Sequence, residues 1–181
     1  MHERILIAGS GGQGVVSLGK LLARLAAETI QHVTFFPAYG AEVRGGTSNC
    51  QVILSANEIA APIAETFDSM LIMNQQSAEH FLSSLDKNGL AIVNQSLCKV
   101  HADIRHILVP ATEIADRLGS AKAANFVMLG AWLERKPLIP SRAVENAMAS
   151  HFPDAPAALI DINIQAFRAG RDCSLSVERR A

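Results

Sequence analysis

The chain has 181 residues, 49% hydrophobic and 18% charged, which predicts one folded domain with a substantial core and excludes a largely disordered polypeptide. Its formal net charge of −1 gives no basic signature, so we expect no nucleic-acid partner and no anionic membrane surface. Residues 1–4 lack the layout of a signal peptide and no apolar stretch reaches membrane-spanning length, so we expect a cytoplasmic protein.

The first predicted strand and helix flank a glycine-rich turn. Arg4–Ala8 is an aliphatic run typical of a strand that is buried on both faces of a parallel sheet. Gly9, Gly11 and Gly14 follow in the G-x-G-x-x-G spacing, and apolar residues then recur at helical intervals through Ala27. Such glycines allow a tight turn, close approach of a ligand and close helix packing, and free N–H groups at the helix start favour an anion.

This turn alone does not establish a dinucleotide site. An NAD site needs an acidic residue about twenty residues further on, at the end of the second strand. Here the second strand is predicted over 32–37 and ends without a carboxylate, while Glu42 comes later, in a second glycine loop. NAD(P) is therefore disfavoured, and three readings stay open: a plain strand–helix corner, a site for another anion, or a contact with a partner loop.

Strands and helices alternate along the rest of the chain. Strands are predicted over 47–55, 68–74, 90–94 and 106–110, with a turn at Asn88-Gly89. Helices are predicted over 75–85, 113–118, 125–135, 141–150 and 157–169, with Thr112 as the N-cap of the second. This order predicts an α/β fold: a single three-layer, doubly wound, Rossmann-like domain over 1–170 with a mostly parallel sheet. Residues 171–181 are expected to form a polar, flexible tail.

The sequence offers no recognisable metal site and no catalytic residue. Cys50, Cys98 and Cys173 are far apart and form no C-x-x-C pair, which argues against a cysteine-ligated iron–sulfur cluster or a structural zinc site. Ser10 and Thr47 lie in glycine turns, but no His or Asp is spaced to form a nucleophile relay with either.

The second glycine loop, over residues 37–48, is longer than the usual connection of about two to six residues, which indicates a functional or contact segment. Arg44 is a planar, permanently charged group suited to a carboxylate, a phosphate or a carbonyl. Gly45 and Gly46 would let another chain or a ligand approach the backbone closely. The alternative is local, with Arg44 paired to Glu42 or to a nearby carbonyl.

Together, these segments resemble the gamma subunit, or gamma domain, of the 2-oxoacid:ferredoxin oxidoreductases. The resemblance covers about residues 1–133 and is carried by Gly9–Val16, Pro37–Thr47 and the strand ending at Leu54-Ser55, with Ile59 and Pro62 after it. Tyr39-Gly40 and Arg44-Gly45-Gly46, with Asn49-Cys50, are more similar to the 2-oxoglutarate and branched-chain types.

The resemblance implies a complete enzyme that oxidatively decarboxylates a 2-oxoacid, forms an acyl-coenzyme A and passes electrons to ferredoxin. It implies alpha, beta and ferredoxin-like delta subunits as partners. Thiamine diphosphate, Mg, iron–sulfur clusters and coenzyme A are then implied in the complex, and none is expected to be bound by this chain alone. The isolated chain is expected to be inactive, and exposed contact surfaces would allow it to form a homo-oligomer.

We therefore predict that the two loops form one cofactor-binding or interface site near the coenzyme A entry, facing the alpha and beta subunits. Its predicted members are Gly9, Gly11, Gly12, Gln13, Gly14, Tyr39, Gly40, Glu42, Arg44, Gly45, Gly46 and Thr47. Two alternatives are a stand-alone nucleotide-binding domain and the indolepyruvate oxidoreductase small subunit, which shares the fold and the first turn.

Overall fold

Strands and helices alternate along residues 1–39, 47–100 and 103–178, which are the residues that the computed structural model describes. The strands are β1 (His2–Ser10), β2 (His32–Tyr39), β3 (Thr47–Ser55), β4 (Phe67–Ile72), β5 (Leu85–Asn94) and β6 (His106–Val109). The helices are α1 (Val15–Ala26), α2 (Gln75–Phe81), α3 (Ala111–Arg117), α4 (Ala124–Arg135), α5 (Ser141–His151) and α6 (Ala157–Glu178), and short 3-10 turns cover Leu82–Ser84 and Ala121–Ala123.

The strands form one six-stranded sheet in the order β2-β3-β1-β4-β5-β6. β1, β4, β5 and β6 pair in parallel. β3 lies antiparallel between β1 and β2, so β2 points the same way as β1. The sheet is therefore mixed, but β3 alone runs against the common direction, which confirms the prediction of a mostly parallel sheet.

The two faces of the sheet carry separate cores because side chains alternate along each strand. Ile5 and Ile7 pack on the face that carries α1, α4, α5 and α6. Leu6 and Ala8 pack on the opposite face, where α2 contributes Ala78. The three-layer, doubly wound architecture is confirmed, with a much thicker helical layer on the first face.

Helix α4 is the most deeply buried helical segment of the fold. Every residue from 124 to 133 is buried, as expected for a helix that is apolar on all sides. Gly130 and Gly170 let α4 and α6 meet backbone to backbone. A Cβ on Gly130 would fall inside contact distance of the Phe167 carbonyl oxygen, and one on Gly170 would do the same at the Val127 carbonyl.

Two predicted boundaries near the middle of the chain are wrong. β5 begins at Leu85, so Asn88-Gly89 lies within the strand, and a register shift against β4 accommodates the irregular segment. Helix α3 begins at Ala111 with Pro110 at its N-cap position, so Thr112 does not cap it. The Thr112 hydroxyl instead accepts a hydrogen bond from Asn94 Nδ2 at 2.9 Å.

The last helix is longer than predicted. It continues to Glu178, so the expected tail is helical as far as that residue, and residues 179–181 lie outside the described residues. Ser174 is buried, and Arg135 Nε donates to its hydroxyl at 2.8 Å. Polar composition suggested a tail, but contact with α4 keeps the segment helical.

No helix within the described ranges combines the length and the apolar character needed to cross a bilayer.

Gly130→Ala is expected to lower the free energy of unfolding by about 1–3 kcal/mol, the usual cost of overpacking a core. Without the α6 contact the sign would reverse, because alanine favours a helix over glycine by about 1 kcal/mol. Urea denaturation measures the difference. Asn146→Ala, on the exposed side of α5, is the control and should change stability by less than about 0.5 kcal/mol. A Gly130→Ala protein at least as stable as the parent would contradict the close α4–α6 contact.

Candidate functional site

The first glycine turn lies at the carboxyl ends of the parallel strands, where the connections change sides. β1 is followed by α1 on one face of the sheet, and the adjacent β4 is followed by α2 on the other. In doubly wound sheets such a switch point opens a crevice in which ligands bind. The fold therefore places the turn where a ligand-binding loop is expected.

Gln13 closes this turn with its side chain. Its Oε1 accepts the Ser10 N–H at 2.7 Å, and its own N–H donates to the Ser10 carbonyl at 3.1 Å. Gly12 and Gly14 have positive φ values of 91° and 70°, a conformation that glycine adopts without steric cost. The turn is thus defined by one amide side chain and two backbone positions that need glycine.

The four glycines of the turn have different roles. A Cβ on Gly9 would lie 2.5 Å from Gln13 Oε1 and 2.8 Å from Met73 Cβ, so this glycine allows the turn to pack on the end of β4. A Cβ on Gly14 would fall inside contact distance of Asn125 Nδ2. Gly11 and Gly12 are exposed, and the space where a Cβ would stand is open at both. Their backbone is the part of the turn that a ligand or a partner can reach.

Two asparagines outside the turn support it. Asn74 donates from Nδ2 to Ser10 Oγ and accepts the Ser77 N–H at 2.9 Å, so it joins the turn to the start of α2. Asn125 is only 4% exposed and donates from Nδ2 to the Gly14 carbonyl at 3.3 Å. Neither asparagine is among the site residues predicted from the sequence. The available signal was that Asn74 ends an apolar strand at this edge of the sheet.

A third asparagine, Asn94, ties the ends of β4 and β5 to α3. It is fully buried and donates from Nδ2 to the Met73 carbonyl at 3.1 Å and to Thr112 Oγ1. Sequence reasoning missed this contact as well, although Asn94 also follows an apolar run. These asparagines satisfy backbone and hydroxyl groups that the sheet edge would otherwise leave buried and unpaired.

The ends of the second glycine loop lie beside the first turn. Because β3 runs antiparallel to β1, Thr47 is the register partner of Ser10, and Tyr39 is that of Ser48 on the far side of β3. Gly40, Glu42, Arg44, Gly45 and Gly46 lie outside the described residues, as does the side chain of Tyr39. The structure thus places both anchors of this loop at the predicted edge, and the contacts of Arg44 stay predictions.

Polar contacts from both ends of α1 hold that helix against the end of α5. Ser17 Oγ and His151 Nε2 are 3.0 Å apart, and Arg24 Nη2 donates to Ser150 Oγ at 2.6 Å. Burial lowers the pKa of the His151 imidazole, and the positive charges of Arg24 and Lys20 lower that pKa further. Burial and these two positive charges outweigh the hydrogen bond with Ser17, which raises the pKa, so the surroundings of His151 favour the neutral imidazole.

The cysteines of the described residues do not fit an iron–sulfur cluster. Cys50 and Cys98 are buried in the separate cores on opposite faces of the sheet, and burial raises the pKa of their thiols to about 12 and about 11. Cys173 lies in α6 and packs against the core that contains Cys50. Within ranges 1–39, 47–100 and 103–178, no three His, Cys, Asp or Glu side chains lie close enough to hold a metal ion.

Fold and turn together define a doubly wound α/β domain with an open glycine loop at its switch point. The chain belongs to the pyruvate ferredoxin/flavodoxin oxidoreductase family, and residues 4–173 match the sequence pattern of that family. This finding confirms the family resemblance seen in the sequence.

Two curated relatives show how this domain occurs elsewhere. The 2-oxoglutarate synthase subunit KorC of Methanothermobacter thermautotrophicus is 31% identical over 190 residues, covering 99% of this chain and 98% of that protein. The ketoisovalerate oxidoreductase subunit VorA of the same organism is 34% identical over 171 residues, covering 93% of this chain. The chain spans only 36% of the length of VorA.

A solved structure agrees with the sequence relatives. The gamma subunit of a keto/oxoacid ferredoxin oxidoreductase from Geobacter sulfurreducens superposes with a TM-score of 0.80 at 26% identity. The match covers 96% of this chain and 99% of that one, so the described architecture corresponds to nearly all of that solved chain.

Gly14→Ala is expected to destabilise the protein by about 1–3 kcal/mol, because the new Cβ would combine an unfavourable positive φ with a clash against Asn125. Gly11→Ala is the matched control in the same turn and should cost less than about 0.5 kcal/mol, since open space surrounds it. Thermal or urea unfolding of both variants provides the test. Equal losses at the two positions would show that the turn is not built as described.

The His151 contact predicts a pH-dependent stability. A histidine whose folded pKa lies below its unfolded value binds more protons when unfolded, so stability is lost as the pH falls through the unfolded pKa of about 6.5. Relative to His151→Gln, the parent should therefore lose free energy of unfolding between pH 8 and pH 5.5. Urea titrations at both pH values measure the slope, and parallel slopes for the two proteins would refute the assignment.

Proposed function

We propose that this chain is the gamma subunit of a multi-subunit 2-oxoacid:ferredoxin oxidoreductase. The observation that carries the proposal is its correspondence with KorC along almost the whole length of both chains. The agreement with the gamma subunit from Geobacter sulfurreducens supports it independently, at the level of the fold. In this function the chain contributes structure and interface to an enzyme that converts a 2-oxoacid and coenzyme A to an acyl-coenzyme A.

We propose alpha, beta and ferredoxin-like delta subunits as the partners, in the cytoplasm. When bound, thiamine diphosphate with Mg would supply the decarboxylation chemistry, and iron–sulfur clusters would carry the electrons to ferredoxin. The buried thiols described above support locating the clusters in other subunits. The isolated chain would then be inactive.

The two glycine loops are the proposed contact with those partners. Gly11 and Gly12 present exposed backbone at the switch point, and the register of β3 brings Thr47 next to that turn. Exposed backbone without side chains suits close approach by another subunit or by a phosphate of coenzyme A. We infer that Arg44 acts from the second loop, on a partner carboxylate or on coenzyme A.

The proposed substrate is 2-oxoglutarate. The end-to-end match to a 2-oxoglutarate synthase subunit supports it, since the ketoisovalerate relative, though slightly more identical, is a much longer chain. The substrate pocket itself would lie in the partner subunits. The substrate assignment therefore has to be decided by assay of the complex.

Affinity purification of the tagged chain from its native cells tests the function directly. The expected eluate contains thiamine-binding and ferredoxin-like chains and reduces a viologen dye in a reaction that requires both a 2-oxoacid and coenzyme A. Comparing 2-oxoglutarate, pyruvate and 2-oxoisovalerate in this assay identifies the substrate. A partnerless chain that binds a dinucleotide would overturn the proposal in favour of a stand-alone nucleotide-binding domain.

Arg44→Ala is expected to raise the KM for coenzyme A, or to weaken assembly, by about tenfold, which corresponds to the loss of one charged hydrogen bond. The measurements are steady-state kinetics and subunit recovery from the purified complex. Arg142→Ala, an exposed arginine on α5, is the matched control and should change neither quantity. Unchanged KM and unchanged assembly in the Arg44→Ala complex would exclude the proposed contact.

A further inference from the structure

A cavity of about 200 Å³ opens beside the first glycine turn, at the carboxyl ends of the parallel strands. It lies between that turn, the residues that follow β4 and β5, and the segment that leads into α4. Drug-sized ligands occupy pockets of about 300–1,000 Å³, so this cavity suits a smaller molecule.

Gln13 presents hydrogen-bond donors to this cavity. Its side-chain oxygen faces the Ser10 N–H, because only the oxygen of the amide can accept that proton. The Gln13 amide nitrogen, Nε2, donates no hydrogen bond to any described residue. The Gln13 side chain therefore offers N–H groups to a ligand.

Thr112 also presents a hydrogen-bond donor to the cavity. The Asn94 amide nitrogen is identified by its contact with the Met73 carbonyl, which can only accept. That nitrogen also donates to Thr112 Oγ1 at 2.9 Å. Since the hydroxyl oxygen accepts this bond, its own proton remains free to be donated, and Thr112 lines the cavity.

Lys122 adds a positive charge at the same place. It is exposed and lines the cavity, and among the described residues it forms neither an ion pair nor a side-chain hydrogen bond. None of the described lining residues is acidic. Three side chains, Gln13, Thr112 and Lys122, thus offer donors with no acceptor to match them, which favours an anionic oxygen group.

The remaining wall is apolar. Met73, Leu97 and Ala124 line it, and Leu97 is 45% exposed although it is a leucine. A hydrated inorganic anion would leave this wall without a partner, whereas an aliphatic group would cover it. The cavity therefore matches a ligand with an anionic head and a short apolar body.

We propose that this cavity binds a small aliphatic carboxylate, with its head at Gln13, Thr112 and Lys122 and its body against Met73 and Leu97. This inference goes beyond the proposed function, which assigns this chain no carboxylate ligand. The proposal depends on the geometry of this chain alone. The cavity can therefore fail to bind a carboxylate while the subunit assignment is correct, and the subunit assignment can be wrong while the cavity binds a carboxylate.

Calorimetric titration of the 181-residue chain tests the proposal with three probes. Isobutyrate is expected to bind with a millimolar or lower Kd. Isobutyramide, which has the same shape without the charge, should bind at least tenfold more weakly, and inorganic phosphate should bind more weakly than isobutyrate. Equal affinity for isobutyrate and isobutyramide, or no detectable binding of isobutyrate, would overturn the proposal, as would a preference for phosphate.

Variants localise the binding to this cavity. Lys122→Gln removes an exposed charge without touching the core and should weaken isobutyrate binding about five- to tenfold. Thr112→Val should weaken it as well, and its fold is checked by circular dichroism. Lys20→Gln, an exposed lysine on α1 outside the lining, is the control and should bind isobutyrate as the parent does. Parent-like affinity in Lys122→Gln would refute the assigned site.

Discussion

The antiparallel pairing of β1 with β3 is the constraint on which the candidate site depends. The two strands are in register from His2 opposite Ser55 to Ser10 opposite Thr47, so the start of β3 meets the end of β1. Because β3 lies between β1 and β2, β2 is the outermost strand on that side of the sheet. β3 therefore begins at the edge of the sheet where the first glycine turn lies. Thr47, which follows the second glycine segment about thirty residues further along the sequence, therefore lies beside the first glycine turn.

The conformation of the first turn depends on side chains from other elements. Gln13 closes it locally, but Asn74 and Asn125 reach it from the end of β4 and from α4. The position of α4, which carries Asn125, depends in turn on α6. Gly130 and Gly170 let the backbones of α4 and α6 come into direct contact. The packing of the C-terminal helices thus extends to the loop at which we place the partner contact.

The relatives show this domain both as a chain of its own and within a longer one. It corresponds to the whole of KorC but to about a third of VorA. The structure makes both arrangements reasonable, since each face of the sheet has its own buried core and the first glycine turn lies at one edge, beside the start of β3. A subunit of this kind can present one edge to its partners without needing them to complete its core.

The sequence by itself determined the alternation of strands and helices, the glycine turn and the family, because apolar periodicity and glycine spacing are local signals. It did not determine that Asn88-Gly89 continues a strand or that residues 171–178 are helical, because pairing with β4 and packing on α4 override local propensity. Nor did it identify the hydrogen-bond partners of Thr112 and Asn125, because those partners, Asn94 and Gly14, lie elsewhere in the chain. Tertiary structure alone decided which donors face the cavity, since that depends on which end of each side chain a distant partner has already used.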